Sequence, residues 1–392
     1  MMEAFFKTHA YLVEHTNAPV RRALMDEINW NDRLIGIKGS RGVGKTTFLL
    51  QYAREHFSIN DRKCLYVNMN NFYFQGKSLT DFAGEFHRNG GQVLLIDQVY
   101  KLPDWSLELK RCYERYPGLK IVFTGSSVMR LKEENPELNG ICSSYNLKGF
   151  SLREFINLRT GLSLSSYTLQ DILDRHEMIA ANILRQVDPN EHMRAYLRHG
   201  YYPFFLEKVN FTENLLKVMN MMVEVDILLI QQIELKYLNK LKKLIYMLAT
   251  DGYSAPNVSQ LASDVQTSRA TVMNYFKFLS DARLIHMIYR KGEQQSKKPA
   301  RISLHNTNLL FAIFPRYNDD QALAEAFFQQ TLCPEHLVAV GDRSCGFYVN
   351  NKRFRVCTEE PHRFSSDVYY VRSGIQKGHD KQIPLWLFGF LY

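Results

Sequence analysis

One short stretch of the sequence has the residue types and the spacing to bind a chain of phosphates. It follows the pattern G-x-x-x-x-G-K-T of a phosphate-binding loop, or P-loop. Its glycines let backbone N–H groups close around the phosphates, Lys45 can reach the β- and γ-phosphates, and the Thr46 hydroxyl can ligate Mg²⁺. We therefore predict that ATP and Mg²⁺ bind at Gly39, Ser40, Arg41, Gly42, Val43, Gly44, Lys45, Thr46 and Thr47.

An aspartate further along the chain is predicted to complete the metal site. The apolar run 93–96 ends in Asp97, as a Walker B element does, so we expect Asp97 to hold Mg²⁺ directly or through water. P-loop ATPases that activate water with a carboxylate typically have glutamate next, but Gln98 stands here. A carboxamide can orient water and cannot accept its proton, so we predict slow turnover. Whether Gln98 is natural or was introduced by an engineer stays open.

Two hydroxyl groups at the end of another apolar run are further catalytic candidates. Thr124 and Ser126 follow the run 120–123, at the place where a polar side chain could contact the γ-phosphate or the attacking water. With Gln98 they form the predicted catalytic set. A competing interpretation is that these hydroxyls cap the next helix.

The elements around these residues predict an α/β domain. Strand-like runs at 33–38, 64–68, 93–97 and 120–124 alternate with helical patterns at 45–57, 79–88 and 105–116. Near-continuous apolar strands are typical of a parallel sheet that is buried on both faces. The helix after the P-loop would direct its partial positive charge at the phosphates. We predict a helical segment at 1–30 and a P-loop domain at 31–160.

The rest of the chain predicts three further segments: a helical linker at 161–237, a winged helix at 238–305 and a small α+β domain at 306–392. In the winged helix, helices at 241–250, 257–262 and 268–280 precede two strands joined by a basic hairpin at 290–301. The helix at 268–280 could enter a DNA groove, although only Arg269 and Lys277 there are basic. Packing within the chain, or contact with a protein, is the competing interpretation.

The apolar tail 383–390 should form a buried strand or a docking segment.

The composition is that of a globular protein of two to four domains. Lys and Arg outnumber Asp and Glu by 49 to 40, a balance that permits a nucleic-acid partner without requiring one. Residues 1–7 lack the pattern of a signal peptide. The apolar stretch 215–230 contains charged residues, so we predict a core helix and no membrane span. Six cysteines without a C-x-x-C pair predict reduced thiols in a cytoplasmic protein.

Several longer runs resemble one family. The sequence is similar to the predicted AAA-superfamily ATPases of bacteria, which combine a P-loop domain, a winged helix and a C-terminal restriction-endonuclease-like domain of unknown function. The resemblance implies an ASCE-type sheet, in which an extra strand lies between the P-loop and Walker B strands. It extends over essentially the whole chain and depends on the runs at 34–39, 41–47, 121–127, 149–155, 200–205 and 383–392.

The sequence departs from that family at its functional positions. Gln98 and Tyr100 stand where the family usually has glutamate and histidine. Gly140 and Ile141 stand where it usually has two arginines, so a candidate arginine finger is missing. In the C-terminal domain the expected carboxylate positions are Gly346 and Val356, and Glu359 and Glu360 form no pair with a carboxylate on the preceding strand. We therefore interpret that domain as degenerate and expect no nuclease activity.

The function predicted from these features is a nucleotide-operated switch with slow or absent ATP hydrolysis. A first alternative is an active ATPase in which another acidic residue or a partner subunit supplies the missing base and arginine. A second alternative is a DNA-binding regulator or defence component that uses the winged helix.

Overall fold

The computed structural model describes residues 2–129, 135–206, 210–228, 234–251, 255–293, 298–333, 335–342 and 345–392. It divides into two compact units, Met1–Gly149 and Phe150–Tyr392. Each unit contains its own five-stranded sheet. The finer division into five segments stays a prediction.

The first unit is an α/β structure around a parallel sheet. Its strands lie in the order β2-β3-β4-β1-β5, and every neighbouring pair is parallel. The elements are α1 Met2–His15, α2 Leu24–Glu27, β1 Leu34–Gly39, α3 Lys45–His56, β2 Cys64–Asn68, α4 Leu79–Arg88, β3 Val93–Asp97, α5 Trp105–Arg115, β4 Lys120–Ser126 and β5 Ser143–Asn146. The α/β prediction is confirmed. β4 lies between the P-loop strand β1 and the Walker B strand β3, as the resemblance implies.

The parallel arrangement brings the predicted site residues to the same side of this sheet, where the C-terminal ends of its strands lie. Gly39 at the end of β1 is in register with Ser126 on β4. Asn68 at the end of β2 is in register with Asp97 at the end of β3. β1, β3 and β4 are almost fully buried apolar runs, which is why the sequence revealed them. β5, with the sequence Ser-Ser-Tyr-Asn, is half-buried and polar, and the sequence patterns did not predict it.

Helix α1 covers the edge strand β2. His9 on its buried face accepts a hydrogen bond at Nδ1 from the backbone N–H of Tyr66, 3.0 Å away. The imidazole thereby satisfies an edge-strand donor that would otherwise be buried without a partner. Because Nδ1 acts as the acceptor, this contact requires the neutral ring.

This buried histidine predicts how stability depends on pH. Burial lowers the pKa of His9 from 6.5 to about 4. Below pH 6.5 the unfolded chain binds a proton that the folded chain excludes, so the free energy of unfolding falls as the pH falls toward 4. Between pH 7.5 and pH 5, His9 should reduce the free energy of unfolding by about 2 kcal/mol.

Urea unfolding of the unmodified protein and of His9→Gln at both pH values measures this effect. Glutamine can accept the same N–H bond and does not titrate, so the variant should lose about 2 kcal/mol less on acidification. Burial also lowers the pKa of His286, to about 3, but this residue is present in both proteins and cancels in the comparison. Equal losses in the two proteins would contradict the role of His9.

The second unit begins with helices and ends with a mixed sheet. That sheet has the order β12-β11-β10-β9-β8, with β10, β11 and β12 parallel and the other pairs antiparallel. The elements are α6 Leu152–Thr160, α7 Leu169–Leu184, α8 Pro189–His199, α9 Phe211–Met221, α10 Leu238–Asp251, α11 Val258–Asp264, α12 Arg269–Asp281, β6 Ile285–Ile288, β7 Arg301–Leu304, α13 Thr307–Ile313, α14 Asp320–Leu332, β8 Val338–Val340, β9 Phe347–Val349, β10 Lys352–Cys357, β11 Val368–Arg372 and β12 Gln382–Pro384.

Two apolar segments of this unit differ from the simplest sequence interpretation. The tail is buried as expected, but only Gln382–Pro384 is a strand, and Leu385–Phe390 forms a 3₁₀ helix. Proline has no N–H to continue a strand ladder, which explains why β12 ends at Pro384. Within the stretch 215–230, α9 continues into a π-helix, Met222–Ile227. Among the described residues, no helix has both the length and the apolar composition to cross a membrane.

Candidate phosphate-binding site

The loop between β1 and α3 has the backbone conformation of an anion cradle. Gly42 and Gly44 adopt φ angles of 84° and 93°, which residues with a side chain rarely adopt. Gly39 is required for a different reason, because a Cβ there would lie 2.4 Å from the carbonyl oxygen of Leu147. The loop leads directly into the N-terminus of the 12-residue helix α3. The first N–H groups of a helix have no partner within the helix and carry a partial positive charge, so a helix start of this kind favours an anion.

Lys45 is held across the start of this loop. Its ammonium donates hydrogen bonds to the carbonyl oxygens of Gly39, at 2.7 Å, and Ser40, at 2.8 Å. The positive charge of Lys45 therefore adds to that of the α3 N-terminus in the same short segment. Val43 and Ser40 are buried, and Thr47 lies in the first turn of α3. All residues predicted to contact the nucleotide are thus contiguous around one loop.

Asp97 is buried and is surrounded by neutral donors. Its Oδ2 accepts hydrogen bonds from Thr46 Oγ1 at 2.8 Å, Tyr66 OH at 2.9 Å and Asn68 Nδ2 at 3.2 Å, and its Oδ1 accepts one from Thr124 Oγ1. Burial and the nearby Asp97 charge raise the pKa of Tyr66, which keeps this phenol protonated as a donor. The structure therefore joins the P-loop to the Walker B strand through Thr46 and Asp97.

Gln98 has an unusual backbone conformation and defined partners. It adopts the left-handed region, with φ 56° and ψ 49°, which is uncommon for a residue with a side chain. Its backbone N–H donates to Thr124 Oγ1 at 2.9 Å, and its side-chain Oε1 accepts from Tyr100 OH at 3.2 Å. Tyr100 in turn accepts a hydrogen bond from the guanidinium of Arg41 at 3.2 Å. Thus a P-loop residue and the residue after Asp97 are connected by a single phenol.

The two hydroxyl candidates have different surroundings. Thr124 lies between Asp97 and the backbone of Gln98, so its hydroxyl fixes the Walker B segment and caps no helix. Ser126 lies beside Gly39, and its Oγ accepts a long bond from the N–H of Val128, at 3.5 Å. No helix begins at 127–129, and residues 130–134 lie outside the described part of the chain.

Three site residues were missed at the sequence level. Tyr66 and Asn68 belong to the predicted strand 64–68. Their position at the end of that strand could have indicated the contact, because the end of a strand that neighbours β3 must approach Asp97. Arg22 is the third. It precedes α2 and carried no recognisable motif, yet its buried guanidinium donates to the carbonyl oxygens of Val43, Lys148 and Gly149, at 3.2, 2.7 and 3.0 Å.

Arg22 is expected to support both the loop and the fold. Arg22→Lys keeps the charge but cannot reach carbonyls on both sides, so we expect a loss of about 3 kcal/mol in the free energy of unfolding and weaker nucleotide binding. Urea unfolding and a nucleotide titration measure the two effects. Arg21→Lys is the matched control, since Arg21 forms exposed ion pairs with Asp26 and Glu55 and should cost less than about 1 kcal/mol. Equal losses in the two variants would contradict this role.

The other divergent positions lie in turns or in the core. Gly140 has a φ of 76° and lies with Ile141 in a turn before β5. In the second unit, Gly346 precedes β9, and Val356 on β10 is buried in the apolar core. Glu359 and Glu360 are exposed after β10. Within the residues that the structure describes, no three His, Cys, Asp or Glu side chains converge in a way that could hold a metal ion.

The strand order and the loop together define a class of protein, the P-loop nucleotide-binding domains with a strand inserted between the P-loop and Walker B strands. Residues 31–156 match the family model described as an AAA domain. This part of the chain is therefore similar to AAA domains, and its strand order is that of a P-loop domain. Residues 190–306 match a second model, described as a domain of unknown function (DUF8612).

Individual relatives add little to this assignment. An uncharacterized protein of Methanocaldococcus jannaschii, MJ1637, is 26% identical over 289 residues, and the match covers 70% of this chain and 60% of that protein. A point variant of RuvB from Thermotoga maritima is 16% identical, with a TM-score of 0.30, and the overlap covers 77% of this chain and 92% of that one. Orc1 of Aeropyrum pernix, solved in complex with DNA, is 12% identical, with a TM-score of 0.32 and coverages of 80% and 92%. These TM-scores are too low to support a functional conclusion.

Proposed function

We propose that the AAA domain binds ATP together with Mg²⁺ and acts as a nucleotide-dependent switch with slow hydrolysis. The observation that carries this proposal is the hydrogen bond of 2.8 Å between Thr46 in the P-loop and the buried Asp97. It links the loop to the Walker B strand beside the α3 N-terminus, as binding of a nucleotide and its metal requires. Both residues were predicted from the sequence for this role.

The residues present suit a polyphosphate. Gly42 and Gly44 permit the backbone N–H groups to face an anion, and Lys45 supplies a cation beside them. The N-terminus of α3 attracts the same charge. A triphosphate chain with its magnesium is the ligand class that such an arrangement recognises.

The residues also suit Mg²⁺, which prefers oxygen ligands. Thr46 is exposed, and since its hydroxyl donates a hydrogen bond to Asp97, its oxygen keeps lone pairs for a metal. Both oxygens of Asp97 already accept hydrogen bonds, so we assign Asp97 the role of holding Thr46 and any metal-bound water. When bound, Mg²⁺ would neutralise charge on the β- and γ-phosphates.

The surroundings of the γ-phosphate position support slow hydrolysis. Gln98 cannot accept a proton from water. Thr124 is engaged by Asp97 and by the Gln98 backbone, which leaves Ser126 as the hydroxyl with the weakest existing contact. Gly140 and Ile141 contribute no guanidinium to the transition state. A bound ATP would therefore persist, as a switch requires.

The contacts made by the described residues of the basic hairpin 290–301 support packing within the chain over DNA binding. β6 and β7 form an antiparallel pair after three helices, which is the pattern expected for a winged helix. Arg301 forms an ion pair with Glu325 at 2.8 Å, and the ammonium of Lys291 lies over the ring of Tyr348. The N–H of Val340 on the edge strand β8 also donates to the carbonyl oxygen of Tyr289. Lys297, which belongs to the predicted basic hairpin 290–301, lies outside the described residues.

Isothermal titration of the unmodified protein with ATP and Mg²⁺ tests the proposed function. We expect saturable binding of one nucleotide per chain, and phosphate release that is slow compared with that of ordinary P-loop ATPases. If the folded protein binds neither ATP nor ADP, the proposal fails. Rapid release that rises steeply with protein concentration would instead favour an ATPase completed by a second subunit.

A further inference from the structure

The hydrogen bonds around Tyr100 give the Gln98 carboxamide one orientation. Arg41 Nη2 donates to the phenol oxygen of Tyr100, and the Tyr100 hydroxyl donates to Gln98 Oε1, both at 3.2 Å. A guanidinium can only donate, so the phenol oxygen accepts from Arg41, and the hydroxyl proton of Tyr100 is directed at Gln98 Oε1. The carboxamide therefore receives the hydrogen bond on its oxygen.

The other end of Gln98 is fixed as well. Its backbone N–H donates to Thr124 Oγ1, and the Thr124 hydroxyl in turn donates a hydrogen bond to Asp97 Oδ1. The backbone is held in the left-handed region, which restricts how the side chain leaves the strand. Both the backbone and the oxygen of the side chain are thus positioned by their neighbours.

With one lone pair of its oxygen engaged by Tyr100, Gln98 can offer a ligand two N–H donors and a single remaining acceptor position. Nε2 makes no hydrogen bond within the part of the chain that the structure describes, and Gln98 is half-buried at the edge where β1, β3 and β4 end. Two N–H donors suit a negatively charged oxygen better than a water molecule that must lose a proton. Glutamate at this position would direct negative charge at the same place.

We propose that Gln98, positioned by Tyr100 and Arg41, donates hydrogen bonds to the γ-phosphate and so selects a nucleoside triphosphate over a diphosphate. The inference depends on the proposed function, because it assigns a recognition role within the same site. It makes Gln98 a specificity-determining residue and Tyr100 a positioning residue. The replacement of glutamate by glutamine then gives the switch a contact that only its triphosphate state can form.

The test compares dissociation constants for Mg·ATP and Mg·ADP, measured by isothermal titration on the full chain. Removing a hydrogen bond to a charged oxygen should reduce the preference for ATP about tenfold in Gln98→Ala, and about threefold in Tyr100→Phe, where the carboxamide remains but loses its anchor. Affinity for ADP should stay within about twofold in both, since ADP lacks the group that Gln98 contacts. Tyr11→Phe, an exposed tyrosine on α1, is the matched control and should change neither constant.

Gln98→Glu provides a second variant of the same shape, in case alanine at a left-handed position impairs folding. Its carboxylate should repel the γ-phosphate and lower the preference for ATP at least as much as Gln98→Ala does. An unchanged ratio of ATP to ADP affinity in Gln98→Glu and Tyr100→Phe would overturn this inference and leave the proposed function intact. Failure of the unmodified protein to bind either nucleotide would instead overturn the proposed function.

Discussion

Replacing Lys45 with alanine should weaken binding of Mg·ATP by about 100-fold or more, because charge-assisted hydrogen bonds to phosphate oxygens are worth roughly 1.5–3 kcal/mol each. The structure fixes this ammonium on the loop itself, through the carbonyl oxygens of Gly39 and Ser40. Alanine also favours helix at this first position of α3, so the fold should persist. Isothermal titration with ATP and Mg²⁺ measures the loss.

Lys63→Ala is the matched control for this experiment. Lys63 is an exposed lysine just before β2, at the opposite end of the strands from the P-loop, and it lies 4.0 Å from Asp61. The Lys63→Ala variant removes the same charge from the same unit, but far from the P-loop. It should therefore change the dissociation constant for Mg·ATP by less than about twofold. If Lys45→Ala bound Mg·ATP as well as Lys63→Ala does, the P-loop assignment would be wrong.

The P-loop and Asp97 could be predicted because each carries its own local signal. The loop has fixed glycines and a fixed lysine, and Asp97 ends a fully apolar strand. Their proximity also followed from the sequence, since parallel strands end at one edge of a sheet. The hydrogen bond between Thr46 and Asp97 is the consequence that only the structure could measure.

Residues that act through tertiary contacts could not be predicted in the same way. Arg22 contacts Val43, Lys148 and Gly149, and nothing in its own neighbourhood in the sequence indicates those partners. Tyr100 was recognised as a departure from a family pattern, but its bonds to Arg41 and Gln98 depend on how the β3 end approaches the loop. Local patterns identify groups that could do chemistry, and packing decides how they are oriented.

This distinction changes the interpretation of position 98. From the sequence, Gln98 is a glutamate that has lost its ability to accept a proton. In the structure, its side-chain oxygen accepts a hydrogen bond from Tyr100, and its backbone N–H donates one to Thr124. Its side-chain N–H groups remain for a ligand. Reduced hydrolysis and recognition of the γ-phosphate are then two results of one substitution, because hydrolysis requires a proton acceptor at this position and recognition requires a donor.

Gln98→Glu should raise the rate of phosphate release about ten- to a hundredfold, because a carboxylate can accept the proton of the attacking water. The gain should stay at the low end of what a general base provides. Tyr100 would donate to the new carboxylate and lower its basicity, and Gly140 and Ile141 still supply no guanidinium. The same carboxylate should repel the γ-phosphate, so KM for ATP should rise together with kcat. Steady-state phosphate release over a range of ATP concentrations separates the two constants.

Two further variants decide whether the carboxylate itself causes the gain. Gln98→Ala removes the amide without adding a base and should show no increase in kcat. In Gln98→Glu with Tyr100→Phe, the carboxylate is freed from its donor and becomes more basic, so kcat should rise further than in Gln98→Glu alone. If Gln98→Glu binds Mg·ATP and releases phosphate no faster than the unmodified protein, proton transfer at position 98 does not limit turnover. The absent arginines around Gly140 then become the limiting feature, and adding guanidinium in solution should raise the rate of the Gln98→Glu variant.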